Sequence, residues 1–440
     1  MIAYKNNTQL FSYSILFIAL FSVLPYPSGI DIFKYINITA LMWLIMVVFF
    51  IAYFELAKNK LNSYQLRFVK YYLFWNIIMF IVGLFVANGY WEFKVLIFNS
   101  FATFLSIATY ILIEPYYTQK ILSVYFRNII WITIPFLFLV APGAYGFFLS
   151  PFMLLLLLVP FLDSKWKVIT VIITILVIFA NLDTRSNLIK YGVAAIISIS
   201  YYLGLHIKLN WLNLIHKIFM IAPFLILLTA IAGIFNPFKM DSYIKDDFST
   251  EITRSDGQIV KADLKVDTRT GIYKEVFETA KYYNTWITGR SPAKGNRTEL
   301  FSDIKTITGT AERSGNEVAI LNIFTWTGLI GVFLYLLIFY RASWLAINKS
   351  NSYFMKLLGI FLSFRWLYSW IEDVNVYSIN YFLIWIMLAM AYSDKFRMMN
   401  EQELLLWTRG LFYKRYKMGN INKLEEFKKK NEDSRTHNLP

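Results

Sequence analysis

The stretch Ile36 to Phe54, INITALMWLIMVVFFIAYF, decides the fold class because it contains no charged residue. An α-helix rises about 1.5 Å per residue, so a run of this length nearly crosses the roughly 30 Å hydrocarbon core of a bilayer. A buried helix of a soluble domain is usually shorter. The stretch therefore predicts a transmembrane helix.

Apolar runs of spanning or near-spanning length recur along the rest of the chain. They are Phe11–Leu24, Tyr71–Val86, Val95–Leu112, Ile129–Val140, Phe147–Phe161, Val168–Ala180, Leu188–Leu205, Ile218–Phe235, Val318–Tyr340, Tyr353–Trp370 and Val376–Ala391. The fifth and sixth runs in chain order are separated by Pro142 and Gly143, so a re-entrant hairpin is an alternative there. We predict an all-α integral membrane protein, a polytopic bundle of about twelve transmembrane helices.

Composition agrees with a membrane protein and excludes several other classes. Of the 440 residues, 57% are hydrophobic and 16% are charged, a balance that a soluble domain of this size could not hide from water. The net charge of +15 is spread over many short loops, which excludes a nucleic-acid-binding face. The chain has no cysteine, so no disulfide can brace an exposed loop.

Basic residues follow the even-numbered runs, for example Lys58 and Lys60 after the second run and Lys165 and Lys167 after the sixth. Because basic loops stay in the cytoplasm, both termini are predicted to be cytoplasmic. Residues 1–235 then form nine helices, 236–317 a long extracytoplasmic loop, 318–393 three more helices, and 394–440 a basic cytoplasmic tail.

The long loop contains two predicted elements. The segment Glu251–Leu264 has a Ser255-Asp256-Gly257 turn between alternating stretches, which predicts a β-hairpin. In Thr270–Trp286 the apolar residues follow helical spacing, which predicts an amphipathic helix lying on the membrane surface.

Arg185 is the first candidate for chemistry. It lies in Asp183-Thr184-Arg185-Ser186, at the predicted outer face, where a guanidinium fork matches phosphate oxygens. An interfacial arginine that reaches phospholipid headgroups is the simpler explanation.

The loop supplies four more cationic candidates. Arg269 precedes the amphipathic helix, and Arg290 follows it within Gly289-Arg290-Ser291-Pro292. Lys294 and Arg297 come next. Ordinary solvated charge would explain any one of them.

Two further candidates lie at or inside predicted helices. Glu317 stands where the loop re-enters the membrane, so it is a candidate general base, although an acidic residue at a helix start is also simply favourable. Arg365 falls inside the eleventh run, and ionisable groups at membrane depth usually face a polar cavity. Glu372 and Asp373 are its candidate partners.

Metal chemistry is not expected. The three histidines, His206, His216 and His437, all fall on the predicted cytoplasmic side, away from the loop. The pair Asp246-Asp247 is more typical of solvated charge than of a cation site.

Three of these elements together resemble the Wzy/WaaL-type superfamily of bacterial O-antigen polymerases and ligases. They are Thr184-Arg185-Ser186 opening a helix, Arg269-x-x-Ile272-Tyr273 leading through a helix to Gly289-Arg290, and the re-entry motif Gly328-Leu329-Ile330-Gly331. The resemblance covers the stretch from the seventh to the tenth helix. Many members, ligases above all, carry His-Asn where this chain has Glu317-Val318, and acidic residues there look more like the polymerase side.

The resemblance implies a GT-C-related fold in the bacterial cytoplasmic (inner) membrane and metal-independent glycosyl transfer without a cofactor. It implies an undecaprenyl-diphosphate-linked oligosaccharide as donor, membrane lipids as surroundings and a polysaccharide chain-length regulator as a further partner. Catalytic roles would fall to Arg185, Glu317 and Arg290, and substrate binding to Arg269, Arg365, Lys294 and Arg297. The aromatic-rich helices would hold the polyprenyl tail.

A surface-polysaccharide polymerase is therefore the leading prediction. An O-antigen ligase is the close alternative, because it differs in acceptor and not in donor. A lipid-linked oligosaccharide flippase is the alternative from another class, since twelve helices with both termini inside is a common transporter plan. The long loop and the lack of a visible repeat between the two halves argue against it.

Overall fold

The computed structural model describes most of the chain as helices. The described residues are 2–22, 39–139, 145–179, 185–236, 238, 249–253, 259–263, 269–299, 312–372 and 375–418. The helices are α1 Ile2–Phe21, α2 Thr39–Ala57, α3 Arg67–Val86, α4 Gly89–Phe104, α5 Thr109–Leu112, α6 Pro115–Leu139, α7 Tyr145–Phe148, α8 Pro151–Leu157, α9 Ser164–Phe179, α10 Arg185–Tyr202, α11 Leu209–Ile231, α12 Arg269–Tyr282, α13 Ala319–Asn348, α14 Tyr353–Tyr368, α15 Ile379–Tyr392, α16 Asp394–Met398 and α17 Glu401–Gly410. The strands are β1 Ser249–Thr253, β2 Ile259–Asp263, β3 Asn296–Arg297 and β4 Glu312–Arg313.

All twelve apolar runs overlap helices, and the protein is a predominantly helical membrane protein. Within the described ranges, five helices are long and apolar enough to cross a membrane: Thr39–Lys60, Tyr64–Val86, Gly89–Leu112, Leu209–Ile231 and Ala319–Asn348. Other runs are shorter or broken, as where the sixth run divides into α7, α8 and a short 3-10 turn. The count of about twelve spans stays a prediction, and Pro142 and Gly143 lie outside the described residues.

Burial separates helices that face lipid from helices inside the bundle. On α11, Ile218, Ile221, Leu225 and Leu228 are more than half exposed and recur at helical spacing, so they form one apolar stripe. An exposed apolar stripe of this length suits hydrocarbon and not water. By contrast, every side chain of α15 is buried, and this helix forms the centre of the core.

The long loop contains both predicted elements. Strands β1 and β2 pair antiparallel, with Ser249 opposite Asp263 and Thr253 opposite Ile259, so the hairpin is confirmed. Its turn residues lie outside the described part of the chain. The amphipathic helix is also confirmed as α12.

The position predicted for α12 was wrong, because its apolar face packs on the protein and not on the membrane surface. Ile272, Tyr273, Val276 and Ala280 are buried. The Tyr273 hydroxyl donates to the Trp370 carbonyl at 2.5 Å. Burial raises the pKa of this tyrosine well above its ordinary value.

The first part of the predicted tail is also packed. Asn400 caps α17 through a reciprocal capping box with Glu403. The buried Trp407 indole donates to the Pro115 carbonyl at 3.0 Å, and the Trp407 ring meets Phe396 edge to face at 5.0 Å. Residues 419–440 lie outside the described part of the chain.

Helix α13 is interrupted at Gly328, whose φ of 65° and ψ of −166° are not helical. Such a break leaves backbone groups on both sides without their usual partners. The segment 286–291, which we name the strap, supplies them: the Leu329 and Ile330 N–H groups donate to the Trp286 and Ile287 carbonyls at 2.9 and 3.3 Å.

The strap also donates hydrogen bonds to carbonyl groups of α13. The Arg290 N–H donates to the Thr325 carbonyl at 2.7 Å, and the Ser291 N–H donates to the Trp326 carbonyl at 3.2 Å. The Trp75 indole of α3 donates to the Thr327 carbonyl at 2.9 Å. The strap is therefore joined to the broken helix by four backbone hydrogen bonds.

Glycine is required on both sides of this junction. A Cβ on Gly328 would lie 2.1 Å from the Ile287 carbonyl oxygen, and a Cβ on Gly289 would lie 2.5 Å from the backbone nitrogen of Gly328. Both residues also have positive φ, a region that side chains disfavour. The motifs Gly289-Arg290 and Gly328-Leu329-Ile330-Gly331, far apart in sequence, thus meet backbone to backbone.

We predict that Gly328→Ala or Gly289→Ala lowers the free energy of unfolding by at least about 2 kcal/mol, because each adds backbone strain to a steric overlap. The measurement is an SDS unfolding titration of the purified protein, followed by tryptophan fluorescence. Gly192→Ala in α10 is the matched control, since an added Cβ meets nothing within 4 Å there. Equal stability of all three variants would contradict the role given to the junction.

Candidate functional site

Arg290 is held firmly at the end of the strap. Its guanidinium forms an ion pair with Glu312 at 2.9 Å, lies 3.9 Å from the centre of the Tyr283 ring and donates to the Gly295 carbonyl. The Arg290 side chain is only 9% exposed. Arg290 therefore joins the strap to the β3–β4 ladder, in which Arg297 lies opposite Glu312.

The next two candidates also have partners. Lys294 forms an ion pair with Glu92 of α4 at 2.6 Å, and the Asn99 side chain donates to the Pro292 carbonyl at 3.0 Å. These contacts attach the loop to α4. The Arg297 guanidinium lies 4.4 Å from the centre of the Tyr282 ring, and its position on the exposed side of β3 leaves it accessible.

Glu317 lies just before α13, as predicted, and its side chain is 52% exposed. Arg313, which sequence reasoning missed, is 3.5 Å from it and only 12% exposed. Burial lowers the pKa of the Arg313 guanidinium, and the Glu317 and Glu275 carboxylates oppose this shift. Glu317 is therefore an accessible carboxylate steered by a mostly buried arginine.

Arg269 begins α12 and forms an ion pair with Glu372 at 3.0 Å. Glu372, one of the two candidate partners of Arg365, thus forms an ion pair with the loop, and Asp373 lies outside the described residues. Because α12 is about 20 Å long by its residue count, Arg269 and Arg290 lie at opposite ends of it and hold different carboxylates.

A cavity of about 400 Å³ lies beside Arg269, between α11, α12 and the end of α14. Its walls are mainly apolar and include Leu227, Phe277, Leu367 and Trp370. Since α11 carries the lipid-facing stripe, the cavity borders the part of the protein that faces the bilayer. Apolar walls of this kind are suited to an apolar ligand.

Two cationic side chains are buried within helices α10 and α14, and neither of them lines this cavity. Arg365 of α14 is fully buried and contacts the Met153 sulfur at 3.8 Å. Lys190 of α10 is 6% exposed, and its Nζ lies 5.9 Å from the centre of the Tyr368 ring. The Tyr368 hydroxyl in turn donates to Glu372 at 3.5 Å.

The structure thus places Lys190, Tyr368, Glu372 and Arg269 in one continuous series of contacts. Lys190 was missed by sequence reasoning, although an ionisable residue inside the apolar run Leu188–Leu205 was the same signal that identified Arg365. Helix α10 begins at Arg185, as expected for the element that opens there. The Arg185 side chain and residues 183–184 lie outside the described part.

Among the described residues, no group of three or more histidine, aspartate or glutamate side chains could hold a metal ion. His206 lies near the Gly204 carbonyl at 2.8 Å, and His216 is 3.4 Å from the Ser343 hydroxyl. His437 and the pair Asp246-Asp247 lie outside the described ranges.

We predict a strong coupling between Arg290 and Glu312, because both side chains are largely shielded from water. A double-mutant cycle with Arg290→Ala and Glu312→Ala should give a coupling energy of about 1–3 kcal/mol in unfolding titrations. The exposed α12 pair Lys274 and Glu278, at 3.8 Å, is the matched control and should give less than about 0.5 kcal/mol. Similar values for the two pairs would show that Arg290 has no special part in holding the loop.

Comparison with known proteins gives no relative for this chain. No protein-family model matches it, no curated protein matches it, and no solved structure matches it. The functional assignment therefore depends on the residues and geometry described above.

Proposed function

We propose that the protein is a surface-polysaccharide polymerase of the O-antigen type, a membrane glycosyltransferase that joins repeat units carried on undecaprenyl diphosphate. The observation that carries the proposal is the series of contacts that joins the buried Lys190, through Tyr368 and Glu372, to Arg269 at the start of α12, the helix that forms one wall of an apolar cavity. A polyprenyl diphosphate combines an anionic head with a long apolar chain. The cationic side chains suit the head, and the cavity suits the chain.

The proposal includes a GT-C-related bundle of about twelve spans in the bacterial inner membrane, with both termini cytoplasmic and the loop periplasmic. This orientation puts the loop on the side where lipid-linked repeat units are polymerised. A chain-length regulator is the proposed protein partner.

In the proposed reaction, an acceptor sugar hydroxyl attacks the anomeric carbon of the donor. The new glycosidic C–O bond forms while the bond to the diphosphate oxygen breaks, and the diphosphate leaves with the bonding electron pair. Arg185 stabilises the charge that grows on the leaving group, and Arg269 and Arg365 hold its anionic head. Glu317, exposed and steered by Arg313, accepts the proton of the acceptor hydroxyl.

In this proposal, Arg290 and Lys294 act by positioning the long loop. Both form ion pairs that fix the loop, with Glu312 at 2.9 Å and Glu92 at 2.6 Å. An arginine engaged in this way holds the loop near the reacting groups, and Arg297 is left accessible to a sugar or phosphate.

A lipid-linked oligosaccharide flippase is the second candidate. Lys190 inside α10 and Arg365 in the last turn of α14 are both buried among helices, as cations along a path for a diphosphate would be. The polymerase is preferred because the packed loop is attached to α4, to α13 and to the residues that follow α14, and forms a fixed covering.

The first test is a gel of surface and lipid-linked glycans from the native host with and without the gene. A polymerase predicts that deletion leaves lipid A core capped by a single repeat unit. Long polymer that stays on the lipid carrier would indicate a ligase. Repeat units trapped inside, with both products lost, would indicate a flippase.

We predict that Arg185→Ala restores no chain extension in the deletion strain, although the protein inserts normally. The charge-removing variants Lys190→Gln and Arg365→Gln should each reduce the amount of polymer at least about tenfold, because charge at these positions holds the donor. The charge-retaining variants Lys190→Arg and Arg365→Lys should keep part of the polymer. Polymer is measured on gels and normalised to the amount of inserted protein.

The control is Lys165→Gln, which removes one exposed cation at the start of α9. It should leave the polymer unchanged. Normal polymer from well-expressed Arg185→Ala would remove the main catalytic assignment. Equal loss in the Gln and the charge-retaining variants would remove the roles given to Lys190 and Arg365.

A further inference from the structure

A second cavity, which is lined mainly by polar residues, lies at the other end of α13, far from the long loop. Its volume is about 800 Å³. Three segments line it: Ser63–Gln65 before α3, the last turns of α13 with the turn that follows, and α16. We name it the α13-end pocket. Nothing in the proposed polymerase reaction uses it.

Three cations and one carboxylate line the α13-end pocket. The cations are Arg341, Lys349 and Arg397, and the carboxylate is Asp394. Arg397 forms an ion pair with Asp394, whose side chain is 67% exposed. In the described part of the chain, neither Arg341 nor Lys349 has a carboxylate within ion-pair distance, so the pocket has an excess of positive charge.

Arg397 is built into the wall. Its side chain is only 4% exposed, and it donates to the Lys349 carbonyl at 3.1 Å. Its Nε is buried and has no hydrogen-bond partner among the described residues. Burial lowers the pKa of Arg397, Asp394 raises it, and Arg341 lowers it, so two guanidinium groups repel each other across the pocket.

The backbone around these cations is fixed before any ligand binds. The Asn351 N–H donates to the Arg397 carbonyl at 2.8 Å, and its side-chain amide donates to the Met398 carbonyl at 2.8 Å. Gln65 donates to the Tyr392 carbonyl from the opposite wall. Arg397, held in this way, loses little conformational entropy when an anion binds.

Helix polarity explains only part of this arrangement. The C-terminal end of α13 attracts cations, which suits Arg341 and Lys349. It also accounts for the hydrogen bond from Arg397 to the Lys349 carbonyl, but it does not explain why the buried Arg397 Nε has no partner among the described residues, or why a concave space remains between the cations. A bound anion accounts for both features.

The position of the pocket suggests where the anion comes from. From Leu329 to Asn348, α13 is about 30 Å long, which matches the hydrocarbon core of a bilayer. The pocket therefore lies at the level of lipid headgroups. Guanidinium forks match phosphate oxygens in pairs.

We propose that the α13-end pocket binds a phosphate group, supplied either by the headgroup of an anionic phospholipid or by a soluble phosphate compound. Arg341 and Lys349 contact the phosphate, and Arg397 completes the wall behind it. The site is separate from the proposed donor site and would exist whether or not the protein is a polymerase.

The test uses the full-length protein in nanodiscs of phosphatidylcholine alone or of phosphatidylcholine mixed with phosphatidylglycerol. Native mass spectrometry counts the phosphatidylglycerol molecules that stay bound. In the phosphatidylcholine nanodiscs, inorganic phosphate is titrated and the melting temperature is recorded. The variant is Arg341→Gln with Lys349→Gln, because neither side chain supports the fold through an ion pair with a described residue.

The matched control is Lys165→Gln with Lys208→Gln, which removes the same charge from exposed positions outside the pocket. Lys208 lies at the same end of the bundle, since Asn213 of α11 donates to Asn348 at 2.9 Å. The number of retained phosphatidylglycerol molecules should fall at least about tenfold in the pocket variant and stay unchanged in the control. This result would support a lipid phosphate.

A phosphate-dependent rise in melting temperature in the phosphatidylcholine nanodiscs, lost in the pocket variant alone, supports a soluble phosphate. Two results overturn the proposal. One is that neither probe binds the unchanged protein. The other is that the pocket variant and the control lose binding equally, because that result would describe general surface charge.

Discussion

The rest of the loop-side structure depends on the exchange of backbone hydrogen bonds between the strap and the broken helix α13. A break in a helix leaves peptide groups without their usual partners, at a cost of several kcal/mol for each one that stays buried and unpaired. The strap satisfies them from outside the helix, and two glycines allow the backbones to approach. Because Arg290 belongs to the strap, these bonds fix its backbone, and its own ion pair with Glu312 fixes its side chain.

The sequence predicted the local elements of this fold well. Long apolar runs indicate helices regardless of context, and alternation around a turn indicated the β1–β2 hairpin. The number of spans was harder to predict, since α15 has only 14 residues and still lies at the centre of the core. A helix enclosed by other helices needs neither the length nor the flanks of one that faces lipid.

The site was only partly predictable, because its main pairings join distant parts of the chain. Arg269 meets Glu372, and Lys294 meets Glu92, and no local pattern connects either pair. The surface placement expected for α12 was wrong for a related reason: an apolar face reads the same whether lipid or protein covers it. Lys190 did carry a local signal, because it is a cation inside an apolar run. Its burial in the structure makes this signal significant.

The strap also imposes an order on biogenesis. Synthesis proceeds from the N-terminus, so Trp286–Ser291 is made before Thr325–Ile330 emerges. The strap has then already been synthesised when the interrupted helix follows, and its carbonyl and N–H groups are available to receive the later segment. A chain whose strap is displaced would leave the break in α13 unsatisfied, and this intermediate would be the natural substrate for membrane quality control.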